Sequence, residues 1–434
     1  MEAARTEELR LSLRLRLGWG VGSFGASTLI NGVSFLALFY FTEQLGIAPA
    51  IAGSLLFLAK FYSIAADPLI GILSDRRRGP GSRRRPLLFV GALLAGSGFI
   101  ALFHAPAIAG TWLIAWCAGA LLVYATGYSL YVIPYLAMPA EMTASQHERS
   151  RLMAARVVFA SLGILAGGAL APALATAAGG GRSGYATMSL VLTAAIVATM
   201  LIAWAATAGA RSSAWSEAGA GAREQLRRAL ANRPFAFLLG SKFLHLTGVS
   251  ISNSALLYLL TLVLGRAEGA AALFGGAAVA GTLVSMPLWL ALCRQIGKRN
   301  TYVCAVVAYV PITLTWLAAD AAETDVMLAL RGLAIGLATG GLTLTAQSML
   351  PDAIAHDTER TGLHREGSFT AVYSATEKLA AALGPLVLGI VLSANVDAAS
   401  AVRNSAAWLP AAASALSALA LLGYSLDRHE SSRG

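Results

Sequence analysis

The chain has 434 residues, of which 57% are apolar and only 12% charged. A soluble protein carries roughly 25% charged residues to cover its surface, so this composition excludes a set of water-soluble domains and makes lipid the expected solvent. The formal charge of +10, from 32 Lys and Arg against 22 Asp and Glu, leaves a nucleic-acid partner open until the charges are placed. Cys117, Cys293 and Cys304 have no metal-ligand spacing and cannot all pair, so neither a metal cluster nor a disulfide framework is expected.

Apolar stretches of about 20 residues, the length that crosses a bilayer, recur along the chain. Twelve are predicted, at 17–43, 48–73, 86–106, 110–135, 151–178, 185–208, 235–264, 270–293, 301–319, 326–351, 368–393 and 405–426. All are expected to be helices, because a spanning segment must satisfy its own backbone hydrogen bonds. Arg5, Arg10, Arg14 and Arg16 lead straight into the first span with no small-residue cleavage site, so no cleavable signal is expected. Gly20, Gly22 and Gly25 in that span fit G-x-G-x-x-G. No strand precedes them, however, so close helix packing is the better reading than dinucleotide binding.

Ionisable side chains inside spans cost about 2.5–3.5 kcal/mol each on insertion scales and so mark functional positions. Span 2 holds Lys60 and Asp67, two helical turns apart and therefore on one face. A carboxylate there can exchange a lysine partner for a proton or a metal ion, or form a structural ion pair. Arg156, near the end of span 5, suits an anchor or a gate. In span 7, Lys242 and His245 share a face, and Lys242 is expected to snorkel to the interface. Arg331 reads as an interface anchor at the outer end of span 10. Glu377 and Lys378 are adjacent near the middle of span 11, about 100° apart around the helix. One of them is expected to line a cavity while the other pairs with a neighbouring helix.

Of the 32 basic residues, Arg182, Arg266 and Arg403 fall in one set of alternate loops, and Lys60, Lys242, Arg331 and Lys378 fall within spans. The other 25 lie in the opposite loops and the tails. This asymmetry is the positive-inside pattern and predicts cytoplasmic N- and C-termini. It assigns the surplus charge to the anionic inner leaflet, with no nucleic-acid partner.

The long polar segment 210–234 reads as a linker between two six-helix bundles, 1–209 and 235–434. Asp67-Pro68-Leu69 has a counterpart in Met286-Pro287-Leu288, and Glu148-Arg149 in Glu359-Arg360, at offsets close to half the chain. Duplicated halves are a transporter architecture. The chain lacks G-x-x-x-x-G-K-[ST], H-E-x-x-H and G-x-S-x-G, so ATP-driven transport and hydrolytic chemistry are not expected.

The stretch from Asp67-Pro68 through Asp75-Arg76 and the arginines up to Pro86 resembles the loop 2–3 motif of the glycoside–pentoside–hexuronide:cation symporters. These form the melibiose-carrier-like branch of the major facilitator superfamily. Pro134-Tyr135 through Glu141 to Glu148-Arg149, and Met349 through Asp352, Arg365, Tyr373 and Lys378 to Gly384-Pro385, are similar to the same family. The resemblance implies the major facilitator fold: all-α, integral to the membrane, twelve helices in two six-helix pseudo-repeats. It also implies alternating access and solute import coupled to H⁺ or Na⁺, without a cofactor.

By the same resemblance, Asp67 and Lys60 are the cation-coupling pair and Lys378 is the basic position of span 11. Asp75, Arg76, Glu148, Arg149 and Arg365 form the cytoplasmic gate. Asn31, Tyr128, Tyr135, Glu377 and Lys378 are candidates to line the substrate cavity. The family's sodium-using sugar carriers have a second Asp one turn before the position of Asp67, where this chain has Ser63. Its sugar-binding acidic positions are Ser27 and Val132 here. The first difference favours H⁺ over Na⁺, and the second puts a galactoside substrate in question.

The expected partners are a small-molecule solute and membrane lipid, with no obligate protein partner and no metal. The expected location is the plasma (inner) membrane, spanned many times. Alternative readings are a proton-antiporting exporter, a lysolipid-type transporter, and a non-transporting receptor or enzyme.

Overall fold

The computed structural model describes residues 11–76, 84–143, 145–209, 227, 231–361 and 366–424, and among them only helices and connecting turns occur. The segment 210–226, most of the expected linker, lies outside the described residues. So do the arginines at 77, 78 and 83, and Arg365.

Among the described residues, the long helices of the first half are α1 (Leu13–Phe39), α2 (Pro49–Arg76), α3 (Arg85–Phe103), α4 (Thr111–Met142), α5 (Gln146–Leu165, continued through Ala177) and α6 (Gly181–Ala206). Those of the second half, again among the described residues, are α7 (Arg233–Tyr258), α8 (Ala271–Ile296), α9 (Lys298–Leu314), α10 (Asp325–Thr361), α11 (Glu366–Ala394) and α12 (Ala398–Leu421). Eleven are long and apolar enough to cross a membrane. The exception is α12, whose 24 residues are rich in alanine and serine.

The helix starts follow from local chemistry. Ser12, Ser145, Asn232 and Asp397 accept hydrogen bonds from the orphan backbone N–H groups of Leu15, Glu148, Phe235 and Ser400, as side-chain oxygens at N-caps do. Pro68, Pro134, Pro287 and Pro385 lie inside helices. Spanning helices tolerate this because neighbouring groups satisfy the freed carbonyls. The α4 and α10 helices outrun their expected spans, reaching Met142 and Thr361, so their polar C-terminal ends are helical rather than loop.

The described residues group in two compact units: those within Met1–Ile47 and Leu58–Ser216, and those within Ala48–Phe57 and Glu217–Gly434. In the first unit α1 packs on α5 and α6, and α3 packs on α4 and α6. In the second, α7 packs on α11 and α12, and α9 packs on α10 and α12. Adding six to each helix number carries these contacts of the first unit onto those of the second, while the extensive packing of α8 on α10 is not matched between α2 and α4.

The glycines of the first span serve that packing. A Cβ on Gly25 would stand 2.7 Å from the Ile196 carbonyl oxygen, so a glycine lets α1 approach α6, as small residues do between membrane helices. Side chains turned outward are apolar, as Leu283, Val284 and Leu288 are on α8, which suits a lipid solvent.

Candidate functional site

Most of α1 is buried, yet Ser27, Asn31 and Ser34, spaced four and three residues apart, form a half-buried stripe. On α2, the half-buried Lys60, Ser63 and Asp67 make a second stripe at helical spacing. A stripe open to lipid would be apolar; these two carry polar and ionisable groups and therefore belong to a polar interior. They meet where Lys60 Nζ donates to Ser34 Oγ at 3.3 Å. The Asn31 amide donates to its own helix at the Ser27 carbonyl, 2.8 Å away, and the Ser63 hydroxyl donates to the Ala59 carbonyl at 3.2 Å.

Lys60 and Asp67, the coupling pair that the resemblance implies, are not in ion-pair contact with each other. Two turns of one helix separate them by about 10.5 Å, and among the described residues no carboxylate lies within ion-pair distance of Lys60.

The two tyrosines proposed for the cavity differ sharply. Tyr135 is 1% exposed; its hydroxyl donates to the Trp19 carbonyl at 2.8 Å, shares a 2.8 Å hydrogen bond with Ser23, and its ring stacks on Trp19. The structure therefore places Tyr135 in the packing between α1 and α4 rather than against open space. Tyr128 lies two turns earlier on the same face and is only half-buried, its ring 6.2 Å from that of Tyr124. Its hydroxyl has no hydrogen-bond partner among the described residues.

The second unit holds a different arrangement. Lys242 on α7 is 6% exposed and lies 2.6 Å from Glu377 on α11, whose side chain is 44% exposed. The ammonium also sits 3.5 Å from the centroid of the Tyr373 ring, close enough for a cation–π contact. Lys242 thus stays inside and does not snorkel, because a carboxylate and an aromatic face replace its water. One turn on, His245 hydrogen-bonds Ser414 on α12 at 3.1 Å. Nearby, Ser417 contacts both Tyr302 at 2.6 Å and Ser241 at 3.3 Å. Lys378, beside Glu377, is half-buried.

At the helix ends, Glu148 is buried, pairs with Arg151 at 2.8 Å and accepts the backbone N–H of Leu11 at 3.2 Å, while Arg149 is exposed. Asp75 and Arg76 end α2, and their side chains lie outside the described part of the structure. Arg331 is not an open anchor: it pairs with the buried Glu323 at 2.8 Å and covers the Trp316 ring.

Sequence reasoning missed two further pairs. Arg84, just before α3, pairs with Glu141 near the end of α4 at 3.0 Å and reaches Ser74. Lys298 at the start of α9 pairs with Asp352 in α10. The partners fall at offsets of 214 residues (84 to 298) and 211 residues (141 to 352), the half-chain spacing already visible in the motifs.

These helices, packing pairs and matched ion pairs describe a duplicated membrane bundle, and residues 18–428 match the model of the MFS/sugar transport protein family. The chain belongs to the MFS/sugar transport protein family. It is 24% identical over 430 residues to an isoprimeverose transporter of Lactiplantibacillus pentosus, covering 96% of this chain and 89% of that one. It is equally identical over 400 residues to a putative glycoside/cation symporter of Escherichia coli (strain K12), covering 91% and 86%. Among solved structures, a mutant of the nucleoside transporter NupG superposes with a TM-score of 0.70 at 12% identity, covering 94% of this chain and 99% of that one; it shares the fold. As a family member the protein is a multi-pass integral membrane transporter and not an enzyme, and the resemblance read from its loop motifs stands.

Proposed function

We propose that this transporter is a cation symporter that imports a small hydroxylated solute by alternating access, with a proton as the coupling ion. Names of relatives as glycoside/cation symporters and sugar transporters support symport and a sugar-like solute. The proton reading rests on one observation: the α2 stripe offers Asp67 as its carboxylate, while the position one turn earlier is Ser63, which donates its hydroxyl to the Ala59 carbonyl. A proton needs one carboxylate, whereas a sodium ion needs a shell of oxygens.

Tyr128, whose hydroxyl has no hydrogen-bond partner among the described residues, and Glu377, whose partly exposed carboxylate pairs with Lys242, are the proposed solute contacts. Asn31 and Lys378 are proposed on the same polar faces. The positive-inside distribution supports cytoplasmic termini in a plasma membrane.

The test is uptake into proteoliposomes by wild type and Asp67→Asn under an imposed pH gradient. Proton coupling through Asp67 predicts that the variant loses gradient-driven accumulation yet keeps solute exchange at zero gradient. Accumulation at the wild-type level would refute it, a sodium requirement would shift the coupling ion, and efflux under the same gradient would make the protein an exporter.

A further inference from the structure

Arg84 and Arg85 are neighbours at the start of α3 with opposite surroundings. Arg84 is buried and turns to Glu141 and Ser74. Arg85 is half-buried and turns to α6, where its Nε donates to the Trp204 carbonyl at 3.2 Å. Its guanidinium carbon lies 4.7 Å from the centroid of the Trp204 ring, within cation–π range. A guanidinium has five N–H donors. One is used on the carbonyl; the other four have no hydrogen-bond partner, and Arg85 has no carboxylate within ion-pair distance, among the described residues.

The Trp204 ring belongs to an outward face. Phe89, one turn on from Arg85, packs against it with ring centroids 5.3 Å apart. Phe89, Val90 and Leu93 on α3 and Ile202 on α6 are exposed, so an apolar strip begins where the guanidinium ends. The asymmetry of basic loops supports placing this end of α3 and α6 at the anionic inner leaflet. A cation at a helix start opposes the helix dipole, and an anion sharing the position offsets that cost. The second unit lacks the combination. Arg299 follows Arg85 by 214 residues, as Lys298 follows Arg84, but 214 residues beyond Trp204 stands Ala418.

We propose that Arg85 and Trp204 form a binding site for an anionic phospholipid of the inner leaflet. The terminal guanidinium nitrogens take the lipid phosphate in the forked geometry that arginine offers, and Phe89, Val90 and Leu93 take the first part of an acyl chain. Trp204 positions the guanidinium, and Arg85 supplies the charge. Lipid is the occupant because the donors stand at the head of an apolar strip, which an inorganic ion would leave uncovered. The site requires no solute and stands apart from the coupling ion and the direction of transport.

The experiment places the full-length protein in vesicles of equal phosphatidylglycerol and phosphatidylcholine, with bromine on the chains of one lipid or of the other. Fluorescence from Trp204 is read as the difference between each protein with and without Trp204→Phe. Brominated phosphatidylglycerol is expected to quench it at least about twofold more than brominated phosphatidylcholine, as one arginine near an anionic headgroup predicts. The preference should vanish in Arg85→Gln and persist in Arg299→Gln. Equal quenching by the two lipids in the wild-type background overturns the proposal, as does a preference that survives in Arg85→Gln. Its loss in Arg299→Gln as well would reduce the effect to general surface charge and overturn the site. Sodium phosphate in place of sodium chloride at equal ionic strength should leave the preference intact; its loss would make the site one for free phosphate. Native mass spectrometry of detergent-purified wild type with equal amounts of the two lipids decides the matter without any variant. Phosphatidylglycerol should dominate the first bound lipid, and retention in the supplied ratio would refute the site.

Discussion

The Lys242 ammonium and the Glu377 carboxylate face each other at 2.6 Å across α7 and α11, one partner buried and the other 44% exposed. Breaking a buried pair from one side strands the remaining charge, so the two single variants should differ. Glu377→Ala leaves Lys242 in an apolar site and is expected to cost about 3 kcal/mol, the low end of the usual range because Glu377 is partly solvated. Lys242→Met leaves a carboxylate that solvent already reaches and should cost less. The double variant Lys242→Met with Glu377→Gln should recover much of the loss. Thermal unfolding of the four proteins in one detergent measures this; equal penalties for the two single changes would contradict it.

Tyr135 and Tyr128 provide a paired control on α4. Tyr135→Phe removes a hydroxyl that serves Ser23 and the Trp19 carbonyl, with an expected loss of about 1 kcal/mol in stability and little change in KM. Tyr128→Phe removes a hydroxyl with no hydrogen-bond partner among the described residues and is expected to raise KM with little change in unfolding temperature. Uptake kinetics alongside unfolding curves separate the two effects, and the reverse pattern would exchange their roles.

The Arg84–Glu141 pair and its counterpart Lys298–Asp352 each join the start of one helix to the C-terminal third of the next. Arg84→Glu sets two carboxylates together and is expected to cost about 3 kcal/mol or more. Adding Glu141→Arg should restore most of it, because the pair is re-formed with its sense reversed. A double-mutant cycle on unfolding, with the same exchange made at Lys298 and Asp352, checks whether both units depend on the clamp.

Asp397 caps α12, and hydrogen bonds from the Ser400 side chain and backbone N–H hold its carboxyl below the ordinary carboxylate value. A carboxyl lowered in the folded state contributes stability above the unfolded value of about 3.9, and that contribution is lost as pH falls through the folded value. Asp397→Ala should therefore speed amide exchange in the first turn of α12 at neutral pH, with the difference shrinking in acid to what the protonated carboxyl's accepting oxygen still contributes. Asp397→Asn, which keeps the capping oxygen, should show a small effect at every pH. A difference between wild type and Asp397→Ala that persists unchanged in acid would mean that the charge plays no part.

The individual misreadings share a cause. Lys242 was expected to snorkel because hydropathy records that a charge is costly, not that Glu377 and Tyr373 on a distant span stand ready to offset it. Seven residues place Lys60 and Asp67 on one face, and the family resemblance makes them a coupling pair. A shared face is not a contact, and Ser34 on another helix is nearer. Tyr128 and Tyr135 are the same residue type on one face of one helix, so no periodicity distinguishes the bonded hydroxyl from the one without a partner among the described residues. Arg331 shows the converse: a residue read as an interface anchor is sealed against Glu323 and Trp316. The two clamps were legible in principle, since their partners keep the half-chain offset, but only to a comparison that already paired each helix start with the C-terminal third of the next helix.

What the sequence determined by itself was the lipid environment, the apolar segments, the asymmetry of basic loops and the family. Each of these depends on composition along a stretch of chain and on motifs contiguous enough to read. The tertiary structure alone decided which lysine has a counter-ion and which does not, and which tyrosine is packed away. Those outcomes depend on which neighbour each helix face meets. In the membrane that choice is made by close packing between helices far apart in sequence, with glycines such as Gly25 setting the distance of approach.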